Sequence, residues 1–560
     1  MRRRLLLVLV LAAGVFVWRL GRPGFSDTEG MFAEPAREML ETGDWVTPRM
    51  NGEPFLTKPP LAYWLAATVM AVRGPTEYAR LVPALAALGT VAVTGALGTV
   101  LFGEAAGLAA AVVLATSAGF LVEARLLRAD MLLVLAITTA LWAAASVRRR
   151  PSLGMAMLFW VALGLGTLDK GLVALVIPVA ALALAVVVEG GAAVRAVVAR
   201  LRAPLGLAVL AAIVVPWHLA AGARNPGFLW DYVVNQHLLV FFDAKLPRDS
   251  IPDSLAVFWT MFFVRTLPWS LLLPAAAVHA WRWPERRSAL VLPIAWIGVV
   301  VGFFSLAAGR LEHYSLPAAP AVALVVGGLL ADVAAGRSRV GRGWLALPAG
   351  VAGTVAAAIA LRDPDATIAA LDATFPGRGL ESLLRPAAAT AAVGLGTIAV
   401  LLARRSAWPA LVAAAAAAVV VFGFAEIAHE RLEPLFSWRP LARTIRSSRP
   451  RDTAVFFRAS DEYQLCGGLD YYTGAPVALL SPPGWTPPTF LAGRTDRLFT
   501  PRSELERLWR GGHAVIVADD VAGPRDAAAI APGPFAVLAQ AGRRVVLEPA
   551  GAAAVAAQVR

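Results

Sequence analysis

Cysteine is almost absent from this sequence of 560 residues, and charged residues are scarce. The single thiol belongs to Cys466, so an intramolecular disulfide is excluded and a cysteine-based metal site is not indicated. Charged residues make up 16% of the chain and hydrophobic residues 58%, whereas soluble domains contain about 25% and roughly 45–50%. The composition therefore excludes an ordinary soluble protein and indicates an integral membrane protein.

Signatures of nucleotide and nucleic-acid binding are missing as well. No glycine-rich phosphate-binding fingerprint stands between a predicted strand and a helix, and no basic stretch is interleaved with aromatic residues. The formal charge of +13 reflects 51 Lys and Arg against 38 Asp and Glu, and in membrane proteins such an excess marks the cytoplasmic loops. The sequence predicts membrane lipids as surroundings and no nucleic acid as a partner.

Long apolar segments fill most of the first 426 residues. A span needs about 20 such residues, and we predict thirteen spans, near 5–20, 80–101, 105–123, 130–147, 153–168, 172–189, 204–221, 256–281, 289–306, 315–334, 344–361, 387–403 and 408–426. The first lacks a small-residue cleavage site, so it is predicted to be an uncleaved span. The shorter segment 59–72 is predicted to be an interfacial helix on the outer side, with a short true span as the alternative.

Arginine clusters between the spans set the predicted orientation. If 59–72 does not cross the membrane, every cluster between spans falls on the cytoplasmic side, as the positive-inside rule requires. The clusters are Arg148–Arg150, Arg195 with Arg200 and Arg202, Arg282 with Arg286 and Arg287, Arg337 with Arg339 and Arg342, and Arg404–Arg405. The loop 21–79 and the segment 427–560 are then expected outside the cytoplasm.

The segment 427–560 has a different pattern from the rest of the chain. Short apolar runs at 453–458, 476–480, 513–519 and 543–549 predict strands, and "PRSELERLWRGG" predicts a helix. Strands that alternate with helices favour a partly parallel sheet. We therefore predict two domains: a membrane domain at 1–426, whose first outer loop is 21–79, and an extracytoplasmic α/β domain at 427–560.

Polar residues at membrane level gather near the predicted outer side. A charged side chain in or beside a span indicates function by default, whereas a transporter would place such groups near the midplane. The arrangement favours chemistry at the outer interface on a lipid-borne substrate. The residues are Asp27, Glu29, Lys58, Glu123, Arg125, Arg128, Asp130, Asp169, Lys170, His237, Arg310, Glu312, His313 and Tyr314.

Carboxylates and cations in this set suit different tasks. Asp27 and Asp130 could act as general bases on an acceptor, and Lys58, Lys170 and Arg310 could neutralise a phosphate leaving group. The two aspartates also have structural interpretations. Asp27 could cap a helix predicted at 29–42, and Asp130 could pair with a neighbouring arginine, Arg128 or Arg125.

Other charged residues are also open to plainer interpretations. Asp169 could pair locally with Lys170, and His237 could be either an ordinary loop histidine or a substrate contact. Glu34, Arg37, Glu38 and Glu41 are expected on the solvated face of the helix 29–42, with Glu34–Arg37 and Arg37–Glu41 pairs. No set of His, Asp and Glu has recognisable metal spacing, so no metal site is predicted.

The stretch "SDTEGMFAEPAREMLETGDWVTPRMNGEPFLTKPPLAYWL" resembles the first outer loop of the ArnT-type glycosyltransferases. These aminoarabinose (lipid A) transferases are related to the protein O-mannosyltransferase superfamily of GT-C enzymes. Further similar segments follow in order, and the resemblance covers roughly residues 5–330. They are "ARLLRADMLL", "LGLGTLDKGLVAL", "NPGFLWDYVVNQHL", "RTLPWSLLLP" and "FFSLAAGRLEHYSLPAAPAVAL".

This resemblance implies a GT-C bundle and an inverting transfer from a polyprenyl-phosphate-linked sugar. Asp27 resembles the catalytic carboxylate of the first loop, although the register of the motif leaves Glu29 as its rival, and Asp130 resembles the second-loop aspartate. The residues expected to bind substrate are Lys58, Tyr63, Arg128, Lys170, His237, Arg310, His313 and Tyr314. No cofactor is firmly predicted, although the carboxylates are compatible with a divalent cation.

Three departures from the family pattern leave the sugar and the acceptor open. "LDKG" replaces "TKG", "LEHY" adds an acid and a histidine, and the acidic start of the first loop is shifted. The expected acceptor is a lipid A-like glycolipid or another cell-envelope glycan at the periplasmic face of a bacterial inner membrane. The alternatives are a protein hydroxyl, as in protein O-mannosyltransferases, and a multispan transporter of lipid or sugar.

Overall fold

In a computed structural model the chain is mostly helical, and the structure describes residues 2–188, 190–246, 252–283, 287–459, 463–481 and 498–550. Its contacts divide into two compact units. The membrane unit comprises Met1–Leu20, Arg80–Trp217 and Pro252–Ala428, and the loop unit comprises Gly21–Ala79, His218–Ile251 and His429–Arg560.

Helices make up the membrane unit. The α-helices in or entering it are Arg2–Val17, Leu81–Phe102, Glu104–Ala115, Ala118–Glu123, Asp130–Arg149, Leu153–Lys170, Val173–Val187, Gly191–Arg200, Ala203–Arg224, Leu255–Arg265, Leu273–Arg282, Arg287–Leu306, Ala319–Ala334, Arg342–Leu361, Pro364–Leu371, Glu381–Ala403 and Ala407–Phe436. Short 3₁₀ turns precede two of them, at Trp269–Leu272 and Glu312–Ala318. The apolar core of the span Glu312–Ala334 is buried throughout, so this element forms the centre of the unit.

Nine helices among the described residues are long and apolar enough to cross a membrane, and the pair Leu255–Arg265 and Trp269–Arg282, bent by 93°, would make ten. All thirteen predicted segments are largely helical. The predicted spans at 5–20, 105–123 and 172–189 correspond to the shorter helices Arg2–Val17, Glu104–Ala115 and Val173–Val187, whose crossing stays a prediction. The helix Leu61–Arg73, at 13 residues, is also short.

The loop unit begins its first helix at Asp27, two residues before the predicted start. Ser26 is the N-cap, because its side chain accepts a hydrogen bond from the backbone of Glu29 while Glu29 bonds back to Ser26. The alternative interpretation of Asp27 as the cap is therefore excluded. Gly43 ends the helix at φ +69°, a left-handed conformation that glycine adopts without strain.

The remaining helices of the loop unit are mostly short. The α-helices are Leu61–Arg73, Phe228–Trp230, Arg439–Ser448, Gly467–Thr473, Arg502–Arg510 and Pro524–Ile530, and Asp231–Leu239 is π-helical. Single 3₁₀ turns are formed by Glu77–Arg80, which leads into the membrane unit, and by Tyr463–Cys466. Two short strands, β1 (Arg49–Met50) and β2 (Glu53–Pro54), pair antiparallel in the first loop.

A five-stranded sheet confirms the predicted α/β character of the C-terminal segment. Its strands are β3 (Ala454–Arg458), β4 (Ala478–Leu480), β5 (Ala514–Ala518), β6 (Phe535–Ala541) and β7 (Arg544–Pro549), in the order β4-β3-β5-β7-β6. The β3–β4 and β3–β5 pairs are parallel and the others antiparallel. Leu505 and Trp509 of the predicted helix pack against Phe456, Ile516 and Leu547 of the sheet. Burial of these side chains from water drives the docking of helix on sheet.

The sequence predicted that the charged residues of the first helix lie on a solvated face. Two of its glutamates are instead buried. Glu34 is 1% exposed and Glu38 7% exposed. The predicted pairs do form, because Arg37 bonds to Glu34 and to Glu41. Burial raises the pKa of Glu34 to about 7, although its hydrogen bond to Arg37 opposes the change.

Candidate active site

Asp130 and Lys170 form a nearly buried ion pair in the membrane unit. Asp130 is the first residue of one helix and Lys170 the last residue of another. Helix dipoles favour an acid at the amino end and a base at the carboxyl end. Lys170 Nζ donates a hydrogen bond of 2.5 Å to Asp130 Oδ1, with both side chains nearly buried.

His313 and Tyr314 complete this cluster from a third element. His313 Nε2 lies 4.0 Å from Asp130 Oδ1, and Lys170 Nζ lies 5.5 Å from the centre of the Tyr314 ring. The structure thus brings together four of the residues singled out from the sequence: a carboxylate, an amine, an imidazole and a phenol. Asp130 pairs with Lys170, whereas Arg125 pairs with Glu426 at 2.8 Å.

A second network of alternating charges links Arg128, Glu123, Arg265 and Glu312. Arg128 Nη2 donates to both carboxylate oxygens of Glu123 at 2.6 and 2.7 Å. Arg265 bonds Glu123 at 2.9 Å and Glu312 at 2.9 and 2.6 Å. Arg265 was not singled out from the sequence, and its place within an apolar helix just before a break was the signal that could have found it.

Arg310 has a backbone-binding role in this structure. Its guanidinium donates to the carbonyl oxygens of Phe304, Asp253 and Ser305 at 3.2, 3.1 and 3.3 Å. Asp253 Oδ2 in turn accepts the amide of Glu312 at 2.7 Å. These bonds hold the turn that carries Glu312, His313 and Tyr314, so Arg310 positions the cluster.

In the loop unit, Asp27 pairs with Arg544 of β7. The Arg544 guanidinium stacks on Trp438, 4.3 Å from the ring centre. Burial raises the pKa of Asp27 to about 6, against the lowering effect of Arg544. Its charge can therefore change near neutral pH, a property suited to a general base. Arg544 was not anticipated, because it lies 517 positions away along the chain.

Glu29, the rival carboxylate, is fully buried and engaged in the capping box. Its Oε2 atom accepts hydrogen bonds of 3.0 Å from the backbone amide and from the hydroxyl of Ser26. These bonds engage the Glu29 carboxylate in helix capping.

Lys58 and His237 share an electrostatic environment in the loop unit with Asp231, which the sequence analysis did not identify. Burial lowers the pKa of His237, and the nearby Lys58 charge lowers it further. Burial raises the pKa of Asp231, against hydrogen bonds from Asn235 and Gln236 and the charge of Lys58. His237 Nδ1 lies 2.5 Å from the carbonyl oxygen of Tyr232. Asp231 lies in the segment "NPGFLWDYVVNQHL", which resembles the family. Its place as an acid in that segment was the signal that could have found it.

Tyr63 is buried in the same unit and packs on Phe32, with ring centres 5.4 Å apart.

Among the described residues, no group of three or more His, Cys, Asp or Glu side chains is arranged to hold a metal ion. The compatibility of the carboxylates with a divalent cation stays a prediction from the sequence.

Comparisons with known proteins agree with this architecture. The family model for dolichyl-phosphate-mannose-protein mannosyltransferases matches residues 57–219. An undecaprenyl phosphate-α-4-amino-4-deoxy-L-arabinose arabinosyl transferase from Serratia proteamaculans is 29% identical over 359 residues, 60% of each chain. One from Pseudomonas fluorescens is 31% identical over 53% of this chain and 52% of its own. The chain thus matches only about three fifths or less of these relatives' lengths.

A solved structure extends the likeness to nearly the whole chain. The crystal structure of ArnT from Cupriavidus metallidurans bound to undecaprenyl phosphate has a TM-score of 0.81 and 25% identity, and the match covers 98% of both chains. The helical architecture and the structural likeness define a polytopic membrane protein of the GT-C fold class. Within that class the chain is ArnT-like, and the predicted resemblance is confirmed.

Proposed function

We propose that this chain is an integral-membrane glycosyltransferase that transfers a sugar from a polyprenyl-phosphate-linked donor to a cell-envelope acceptor. The observation that carries the proposal is the likeness, over 98% of both chains, to an ArnT structure bound to undecaprenyl phosphate. The names of the sequence relatives, which are arabinosyl transferases with an undecaprenyl phosphate-linked sugar, agree with it.

In the proposed reaction an acceptor oxygen attacks the anomeric carbon while the bond from that carbon to the lipid phosphate oxygen breaks. The lipid phosphate leaves with the bonding electrons, and a carboxylate takes the proton of the acceptor hydroxyl. Asp27 is our candidate for that base, because burial raises the pKa of this acid to about 6.

Cations are assigned to the leaving phosphate. Lys58 is the candidate in the loop unit, where it lies in the field of Asp231 and His237. Lys170 is the candidate in the membrane unit, where Asp130 holds it at 2.5 Å and His313 and Tyr314 surround the pair. Paired and oriented charges stabilise developing charge better than mobile ones, because no reorganisation is needed during the reaction.

The acceptor is proposed to be a lipid A-like glycolipid or another envelope glycan, at the periplasmic face of a bacterial inner membrane. The match to the dolichyl-phosphate-mannose-protein mannosyltransferase family model favours one further candidate, a protein hydroxyl.

A deletion strain complemented with variants tests the proposal. Mass spectrometry of envelope glycolipids should show one sugar-bearing species lost on deletion and restored by the parent gene. Asp130→Asn should fail to restore it, because Lys170 would lose its charged partner. Asp372→Asn makes the same chemical change at an exposed position of the membrane unit and should restore it fully. An unchanged glycolipid profile on deletion, with altered protein glycosylation, would move the assignment to the protein acceptor.

A further inference from the structure

Three buried acids lie where the helix Gly467–Thr473 packs on the first helix of the loop unit, Asp27–Thr42. The acids are Glu34, Glu38 and Asp470, which are 1%, 7% and 1% exposed. The charges of both glutamates act on Asp470, so the three side chains form one acid cluster. The proposed transfer reaction uses none of them.

Arg37 is the cation that pairs with the acid cluster. Its guanidinium bonds both carboxylate oxygens of Glu34 and also pairs with the exposed Glu41. Within the residues that the structure describes, neither Glu38 nor Asp470 forms an ion pair. Full ionisation would therefore leave negative charges buried without counter-charges, which costs free energy.

Other donors satisfy the two unpaired acids in part. Both oxygens of Glu38 accept the Gly52 amide, at 3.0 and 3.2 Å, and Oδ1 of Asp470 accepts the Val477 amide at 3.0 Å. Oδ2 of Asp470 faces the thiol of Cys466, a weak donor, at 3.8 Å. This oxygen can therefore carry a proton of its own.

Charged groups on the neighbouring elements are engaged elsewhere or exposed. Arg49 of β1 pairs with Asp44 at 3.6 Å, and Arg439 pairs with Glu77 and Glu433 at 2.7 and 2.6 Å. The exposed cations on the adjacent helices are Arg73, Arg443 and Arg446. The buried polar groups are Tyr63, Gln464, Cys466 and Tyr471. Over the described part of the chain, none of these cations bonds to the acid cluster.

Burial changes the pKa values in the direction that this geometry requires. It raises the pKa of Glu34 to about 7, against the hydrogen bond from Arg37. It raises the pKa of Asp470 well above its ordinary value, and the charges of the two glutamates add to the effect. A group that binds its proton more tightly in the folded state stabilises that state at low pH. The contribution of Glu34 is complete below about pH 4.5 and is lost as the pH rises through about 7.

Close packing keeps water out of the acid cluster while the two helices are docked. A Cβ atom added at Gly30 would lie 2.4 Å from the backbone nitrogen of Gly468, and one added at Gly467 would lie 2.7 Å from Met50 Sδ. Ionised carboxylates without counter-charges need hydration. Separation of the helices is the change that would hydrate all three acids.

We propose that the acid cluster is a pH-sensitive docking contact, which holds the helix Gly467–Thr473 on the first helix at low pH and releases it as the pH rises. The docked form keeps at least one carboxyl proton, and release transfers that proton to water. The first helix begins at Asp27, so release also changes the surroundings of the proposed base. That consequence rests on the proposed function, whereas the docking contact itself does not.

Cys466 reports release in the full chain, because its thiol is buried beside the acid cluster. A thiol reagent labels the purified protein in detergent at each pH from 6 to 8. The labelling rate of the chain unfolded in guanidinium chloride, divided by that of the folded chain, gives a protection factor. This ratio removes the pH dependence of the thiol itself. We expect the protection factor of the parent to fall by about tenfold or more between pH 6 and pH 8, from Glu34 alone.

The double variant Glu34→Gln, Asp470→Asn replaces two acids by uncharged side chains of the same shape. Its protection factor should stay within about threefold of the parent's value at pH 6 over the whole range, because these amides resemble the protonated acids. The matched control Glu104→Gln, Asp452→Asn removes the same charges from exposed positions and should keep the fall seen in the parent.

Two results would overturn the proposal. A parent protection factor that is constant from pH 6 to pH 8 would exclude a pH-sensitive contact without reference to any variant. An equal fall in the double variant and in its control would place the titrating groups outside the acid cluster. Thiol labelling needs no sugar transfer, so both results are independent of the proposed enzymatic activity.

Discussion

At the scale of single residues, Asp27 combines a partly buried position with a charged partner, Arg544. Its pKa of about 6 stands above the ordinary value of 3.8, and the change comes chiefly from burial. A carboxyl group with this pKa is largely ionised at pH 7 and can still exchange a proton without a large driving force.

We expect the transfer rate to follow the ionisation of Asp27. A base acts in its deprotonated form, so kcat/KM should fall about tenfold per pH unit below about 6 and level off above it. Asp27→Asn should abolish transfer at every pH, because an amide cannot accept the proton. Initial rates across pH 4.5 to 8 check this, and Asp452→Asn, at an exposed position, serves as the control.

Substitution of Arg544 provides a second test of the dependence of kcat/KM on pH. Its positive charge lowers the pKa of Asp27, so Arg544→Met should move the acid limb of the profile to higher pH. An acid limb that stays in place in Arg544→Met would contradict the assignment of this limb to Asp27.

The two rival carboxylates can be separated by one isosteric change. Glutamine serves as well as glutamate in a capping box, so Glu29→Gln should keep the helix cap and keep transfer within about twofold of the parent. Loss of transfer with an unchanged unfolding temperature would instead make Glu29 the base. Differential scanning fluorimetry beside the transfer assay distinguishes these outcomes.

At the scale of elements, the first helix of the loop unit packs closely against the segment Gly467–Gly468. A Cβ added at Gly30 would meet the Gly468 backbone, 2.6 Å from its Cα atom. Such an approach requires a residue without a Cβ atom at position 30. It buries one face of the helix, which explains why Glu34 and Glu38 are not solvated.

Gly30→Ala should therefore destabilise the protein, by about 1–3 kcal/mol for a forced overlap of this kind. Gly396→Ala is the matched control, because a Cβ there meets nothing within 4 Å and alanine favours a helix interior. Thermal unfolding in detergent should give a lower midpoint for the first variant and an equal or higher one for the second. Equal midpoints would contradict the close packing.

Sequence patterns predicted those elements whose signal is local. Short apolar runs predicted β3, β4, β5 and β7. The acidic first turn and the Gly-Gly pair of "PRSELERLWRGG" predicted the helix Arg502–Arg510. The strand β6 was missed because it lies at the sheet edge, is only partly buried and is rich in alanine.

Long-range partners could not be read from local signals. The pair of Asp27 with Arg544 and the bond from Lys170 to Asp130 join distant segments. The burial of Glu34 likewise depends on a helix more than 400 residues away. Composition and spacing suggested which residues carry chemistry, whereas only the fold shows which of them meet.

At the scale of the whole molecule, membrane crossing rests on helices of unequal length. Nine described helices are long enough to span, and a bent pair would add a tenth. The three shorter helices decide whether the predicted thirteen spans and the predicted side of the C-terminal segment hold.

Reporter fusions test this topology. Alkaline phosphatase is active only outside the cytoplasm, so a fusion after residue 550 should be active and a fusion after Arg150 inactive. The expectation follows from an odd number of spans and from Arg148–Arg150 on the cytoplasmic side. Activity only at the second site would reverse the orientation and remove the proposed periplasmic location of the site.

The most direct test of the proposed function is transfer by the purified chain in proteoliposomes. With a polyprenyl-phosphate-linked sugar and an envelope glycolipid extract, mass spectrometry should show free polyprenyl phosphate and sugar-bearing acceptor in equal amounts. Asp27→Asn should yield neither product, and Asp452→Asn should yield both. An intact donor after incubation with correctly folded parent protein, across arabinose-type and hexose donors and both acceptor classes, would contradict the proposed activity.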